Sequence, residues 1–288
     1  MLFHYSSTTH TYTYLGQHLT GISNSPYING IDYRLSRLHI SWCYRNFIPI
    51  SPSDTNAHKQ QAGPNGPENN YNLNYAYSSD LGFTWQNSNG KVLARLGSGL
   101  EAERSILPTP EAARVFEIPM GSGILNQEAQ CADWEGGFWV LNREKKRGEE
   151  RWMVYWREVQ GMFPPIWQWS GKLMVEGRWN AVEVEAESKP TETGNRASIC
   201  VTRRNDVFLI LPGNTDSSLS VMRAWKTEGK LRIETVWRGE GFDGEPCVDV
   251  GRLEDSNVLS VFTRTDLIDE KRDVVVLEFD LEKDQADS

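Results

Sequence analysis

Asn29-Gly30-Ile31-Asp32 runs into Leu38-His39-Ile40-Ser41-Trp42, whose first residue lies seven positions after Ile31, and that spacing recurs. Ala129-Gln130-Cys131-Ala132 leads to Phe138-Trp139-Val140-Leu141, and Ser198-Ile199-Cys200-Val201 leads to Val207-Phe208-Leu209-Ile210. A fourth copy, Glu245-Pro246-Cys247-Val248 followed by Val258-Leu259-Ser260-Val261-Phe262, carries extra residues in its hairpin. Each pair precedes a third apolar run, at 73–78, 152–158, 219–226 and 274–280. The first three copies continue into segments near Trp85, Trp167 and Trp237. Short runs rich in Val, Ile, Tyr, Phe and Trp between Gly, Asn, Asp and Pro clusters read as strands, and helical periodicity is hard to find. Four antiparallel strands per repeat is the blade of a β-propeller. The expectation is an all-β chain of about four full blades over 27–282, with 1–26 the remnant of an upstream blade and 283–288 a disordered tail.

Three of the four cysteines, Cys131, Cys200 and Cys247, fall at one repeat position. Equivalent positions in successive repeats cannot all pair, so free, buried thiols are expected. No Cys/His group has zinc spacing. The 288 residues suffice for a large core, and no apolar stretch is long enough to span a membrane as a helix. Thirty basic against 39 acidic residues give a net charge of -9, which argues against general affinity for nucleic acid or anionic membrane. The 11 Trp, 10 Tyr and 10 Phe suit both a β-rich core and sugar binding. Met1-Leu2-Phe3-His4-Tyr5 opens into a strand-like stretch with no secretory signal pattern.

Ser78-Ser79-Asp80-Leu81-Gly82-Phe83-Thr84-Trp85 fits the Asp-box pattern S-x-D-x-G-x-T-W at every fixed position. Its chemistry is structural: the carboxylate closes a turn, the glycine permits its backbone, and the indole wedges between sheets. Together with 38–45, 61–70, 87–90, 126–130 and 136–143, this stretch resembles the BNR-repeat-containing family. The resemblance covers residues from about 10 to 282. It implies a seven-bladed, sialidase-like propeller whose relatives include lyases that cleave polysaccharides next to uronic acids. It also implies upstream blades that contribute catalytic histidines, and a complete protein that is secreted.

Blade topology places the connection from strand two to strand three, residues 46–70, on the face opposite the Asp box. That loop is long and rich in polar side chains, which suits ligand contact. On the lyase scheme Arg45 and Arg143 hold a uronate carboxylate, with Arg264 completing an arginine ring. Tyr44 and His58 are the proton-transfer candidates, and Gln61, Asn69, Asn70, Gln127 and Glu128 bind sugar hydroxyls. Each arginine can equally be paired with a nearby acid. Glu128 is an alternative metal ligand, and calcium is the one cofactor kept in view. His39 reads as a satisfied core histidine. The expected partner is a uronate-containing plant or algal polysaccharide bound by a monomer. The competing readings are a sialidase-like glycoside hydrolase and a non-catalytic carbohydrate- or protein-binding propeller.

Overall fold

The computed structural model describes residues 1–47, 66–97, 105–109, 113–124, 129–159, 177–191, 194–227, 230–267 and 271–282. The chain forms two compact units, Met1–Ser122 with Arg157–Asn180 and Gly123–Trp156 with Ala181–Ser288. In the first unit β1 (Leu2–Ser6) and β2 (Thr11–Gly16) form a separate antiparallel ribbon. The main sheet runs β3 (Asn24–Arg34), β4 (Arg37–Asn46), β5 (Asn70–Ser78), β6 (Thr84–Gln86) and β7 (Val92–Arg95), each strand beside the next. Strand β8 (Arg114–Phe116) also pairs with β5, through Leu73 and Asn74. One side of β5 is thus shared: β6 takes the end near the Ser78–Trp85 turn and β8 the end near Asn70.

The second sheet contains β9 (Ala129–Ala132), β10 (Phe138–Lys146), β11 (Glu149–Val159) and β12 (Gly177–Val184). The third contains β13 (Ser198–Val201), β14 (Val207–Gly213), β15 (Ser218–Thr227) and β16 (Lys230–Glu240). The fourth contains β17 (Cys247–Val248), β18 (Val258–Arg264) and β19 (Val274–Asp280). The ladders β9–β10, β13–β14–β15–β16 and β17–β18–β19 are antiparallel between chain neighbours.

Within the second unit the sheets pack face to face. Leu141, Trp152 and Val154 meet Ile199, Leu209 and Met222 in one core, and Phe208, Ile210 and Val221 meet Leu259 and Val261 in the next. The first strands β9, β13 and β17 stand side by side. Successive four-stranded sheets stacked on their faces, with first strands adjacent, is the propeller arrangement that the repeat predicts. Alternation explains it: β14 is buried on both faces because each face belongs to a different interface between sheets.

Several expectations need adjustment. The fourth sheet holds three strands among the described residues. The segment at Trp167 lies outside the described residues, and the fourth strand of the second sheet is 177–184, carrying Trp179. The extra residues of the fourth hairpin form α1 (Val250–Ser256), capped by the Asp249 side chain on the Arg252 N–H at 2.9 Å. Cys131 and Cys200 are buried as expected, but Cys247 is exposed, since in the two-residue strand β17 it is Val248 that turns to the core. Strand β3 begins at Asn24, three residues before position 27. Residues 283–288 lie outside the described residues.

Candidate functional site

Strand β4 is buried on both faces from His39 to Arg45. Ile40, Trp42 and Tyr44 share a core with Ala76, Trp85 and Ile106, while His39, Ser41, Cys43 and Arg45 point the other way. The turn after β5 is closed by side chains: Asp80 Oδ1 accepts from the Thr84 N–H at 2.7 Å and from the Ser78 hydroxyl at 2.8 Å. Partial burial pushes the Asp80 carboxyl up, but these donors outweigh it and hold its pKa below the usual value. Gly82 has φ +95°, and a Cβ there would meet Leu2 Cδ2 at 2.4 Å.

At the opposite end of β4 and β5 an open cleft of about 610 Å³ is lined by Tyr44, Asn46, Tyr71, Asn72, Asn74, Arg114 and Glu117, with Ile118, Pro119 and Met120 as an apolar wall. Asn72 builds it. With φ 59° this residue breaks the strand alternation, and its N–H donates to Ile118 O at 2.8 Å while its Oδ1 accepts the Ile118 N–H at 3.1 Å. The segment 113–118 is thereby fixed along β5, Arg114 opposite Asn74. Asn74 is itself held by donating to Trp42 O at 3.2 Å.

Two phenols face each other across this end of the ladder. Tyr44 and Tyr71 are register partners with ring centroids 6.2 Å apart. Burial pushes the Tyr44 pKa up to about 12, against a smaller opposing pull from the Trp42 indole. Tyr71 is also raised by burial, although Asn24 Nδ2 donates to its hydroxyl at 2.7 Å. Both are neutral at pH 7, and Tyr71, already accepting from Asn24, keeps its own proton to give. Arg114 lies 3.6 Å from the exposed Glu117 carboxylate. Amides, phenols and a guanidinium above an aliphatic wall match a polyhydroxylated ligand with apolar faces.

The site residues expected from sequence divide into separate places. Arg45 is buried, donates from Nε to Asn70 Oδ1 at 2.7 Å, and lies 4.0 Å above the Tyr27 ring. Asn69 ends the 3-10 turn Pro67–Asn69, its N–H bonded to Gly66 O at 3.1 Å. Arg143 is fully buried in the second unit, donating to the carbonyls of Thr191, Gly194 and Asn195 and lying 5.3 Å from the Trp152 ring. It braces Thr191, Gly194 and Asn195, and its side chain has no exposed surface for a carboxylate. Arg264 is exposed at the end of β18, where its carbonyl accepts the Asp243 N–H at 3.0 Å. His58, Gln61, Gln127 and Glu128 lie outside the described residues. Among the described residues there is no group of three or more His, Cys, Asp or Glu that could hold a metal ion.

His39 is satisfied in the core, its Nδ1 2.8 Å from the Tyr75 hydroxyl. Tyr71, Asn72, Asn74 and Arg114 were not singled out by sequence reasoning. The available signal was the amide at every second position of Asn70-Tyr71-Asn72-Leu73-Asn74 in an otherwise core-like strand.

An array of antiparallel, face-packed β-sheets is the architecture of a β-propeller, and comparison with solved structures agrees on the fold. The chain superimposes on an ulvan lyase of polysaccharide lyase family PL25, bound to a saccharide of GlcA and Rha3S, with a TM-score of 0.57 and 12% identity over 97% of this chain and 60% of that one. The polysaccharide lyase Uly1 matches with a TM-score of 0.51 and 11% identity, over 88% of this chain and 45% of that one. The chain therefore spans roughly half of these two structures' lengths, 45% and 60%. No curated protein sequence matches it. Residues 1–168 match the BNR repeat-containing family, and the chain belongs to that family.

Proposed function

We propose that this chain is part of a polysaccharide lyase that cleaves next to a uronic acid by β-elimination, with the glycan in the Tyr44–Tyr71 cleft. The observation that carries the reading is the pairing in one cleft of a buried neutral phenol with a guanidinium. In the reaction a base takes the C5 proton, the C4–O4 bond breaks, a double bond forms between C4 and C5, and an acid protonates the departing oxygen. Arg114 neutralises the uronate carboxylate and stabilises charge spreading onto it as C5 loses its proton. Tyr44, held protonated by burial, supplies the proton to O4. Asn72 and Asn74 bind ring hydroxyls. His58 is assigned as the base from its place in the sequence between β4 and β5. The same assignment makes Arg45 a support for Asn70, one layer behind the ligand.

The lyase fold shared with the PL25 structure supports this reading. The test is incubation with ulvan and with other uronate polysaccharides while ultraviolet absorbance follows the unsaturated uronate. The expected result is rising absorbance that Tyr44→Phe abolishes. Chain cleavage with no new absorbance would replace the lyase with a hydrolase.

A further inference from the structure

Asn24 is buried at the start of β3, opposite Asn46 of β4, and its side chain is held from two sides. On one side the Ile22 N–H donates to Asn24 Oδ1 at 3.0 Å; on the other, Asn24 Nδ2 lies 2.7 Å from the Tyr71 hydroxyl. A backbone N–H can only donate, so the amide atom that faces it is the oxygen, and the atom that faces Tyr71 is the NH2, which has no acceptor capacity. The phenolic oxygen is therefore the acceptor in this bond, and its own proton points elsewhere. Tyr44 does not take that proton: no hydrogen bond joins the two hydroxyls, although the rings lie 6.2 Å apart. Among the described residues Asn24 is the one hydrogen-bond partner of the Tyr71 hydroxyl, and Tyr71 lines the cleft.

The turn that enters β3 is shaped around this amide. Ser23 takes a left-handed backbone with φ 54°, and a Cβ on Gly21 would meet Asn24 Oδ1 at 2.5 Å. A residue other than glycine keeps such a conformation where its surroundings fix it, and here Ser23 O also accepts the Phe47 N–H at 3.2 Å. Burial raises the Tyr71 pKa while the Asn24 donor pulls the other way, so the hydroxyl keeps its proton at pH 7. We propose that Asn24 is a positioning residue, whose amide makes the Tyr71 hydroxyl an obligate hydrogen-bond donor to an acceptor oxygen of the ligand in the cleft. On the lyase reading, on which the identity of that oxygen rests, it belongs to the uronate carboxylate held by Arg114. A donor already aimed there needs no reorganisation as negative charge grows on the carboxylate. The direction of the hydroxyl does not depend on that reading.

Asn24→Asp tests the direction. It keeps an oxygen for the Ile22 N–H and the shape of the side chain, but sets a second oxygen where the NH2 was, so the Tyr71 proton turns out of the cleft toward the carboxylate. Site-resolved NMR of ring-labelled tyrosine reads this without turnover: the Tyr71 titration should move to higher pH in the variant, because a donor that favoured the phenolate has become an anion that opposes it. On a uronate polysaccharide, Asn24→Asp and Tyr71→Phe should each lower kcat by roughly tenfold or more with little change in KM, and Asn24→Asp should add nothing to Tyr71→Phe. An unmoved Tyr71 titration overturns the proposal, and so does a loss from Asn24→Asp that persists in full in the Tyr71→Phe background, since Asn24 would then act through the fold. If Asn24→Asp does not fold, the comparison is between the unaltered chain and Tyr71→Phe: one Asn24 side-chain amide proton should lie downfield in the former, and identical shifts overturn the proposal. A moved Tyr71 titration in a chain that cleaves no uronate polysaccharide would uphold the positioning and sink the lyase.

Discussion

Tyr44 and Arg45, consecutive on β4, project from opposite faces of the sheet. Tyr44 lies with Ile40 and Trp42 and lines the cleft, while Arg45 stacks 4.0 Å above Tyr27 and bonds Asn70. Two neighbours expected to serve one site are therefore separable by mutation. Arg45→Ala removes the charge-assisted bond to Asn70, which costs about 1.5–3 kcal/mol of stability. A double-mutant cycle on Arg45 and Asn70, read by urea denaturation, should return a coupling energy of about 1 kcal/mol or more.

Tyr44→Phe removes one oxygen and keeps the ring. With the hydroxyl acting as general acid, kcat falls roughly 10²- to 10⁴-fold while KM changes little. Thermal unfolding of the variant should stay close to the parent, because the ring keeps its packing in the core. Arg114→Gln acts on the carboxylate instead. Loss of a charged hydrogen bond worth about 1.5–3 kcal/mol should lower kcat/KM by roughly tenfold or more.

Arg143 gives a contrasting result. Its guanidinium satisfies the carbonyls of Thr191, Gly194 and Asn195 inside the second unit. Arg143→Met removes these charge-assisted bonds, although Thr191 O keeps the Gly194 N–H and Asn195 O keeps Asn214 Nδ2, and costs about 1.5–3 kcal/mol. Calorimetry should show a large fall in Tm, and KM measured well below the new Tm should match that of the parent.

Acid should destabilise the first unit. Burial first, then the Arg157 and Arg37 charges, lower the His39 pKa from 6.5 to about 3, and burial with the amino terminus lowers His18 from 6.5 to about 4. Both imidazoles are neutral when folded and take up protons when unfolded below 6.5. The stability they contribute is complete above pH 6.5 and is lost as pH falls toward 4 and then 3. Urea midpoints measured from pH 7 down to 4 should decline, and His39→Gln should flatten the slope.

The blades were legible because a buried strand pair leaves a fixed spacing, and Ile31, Cys131 and Cys200 each carry it. The end of the blade that bears the cleft was legible too, since alternation of antiparallel strands separates the Ser78–Trp85 turn from the 46–70 connection. The lining was not. Arg114 reaches Asn74 only because Asn72 adopts a left-handed backbone and pins Ile118, a tertiary pairing with no local sequence period. Arg143 misled for the opposite reason: an arginine at the end of a core strand looks alike whether it meets solvent or a buried carbonyl cluster.

The claim that the Tyr44–Tyr71 cleft performs β-elimination is tested most directly by mass analysis of products from a uronate polysaccharide, parent and Arg114→Gln side by side. The account predicts fragments whose new non-reducing end is lighter by one water than a hydrolysis product, formed at least tenfold more slowly by the variant. Fragments of full hydrolytic mass, or equal rates from the two proteins, would contradict it.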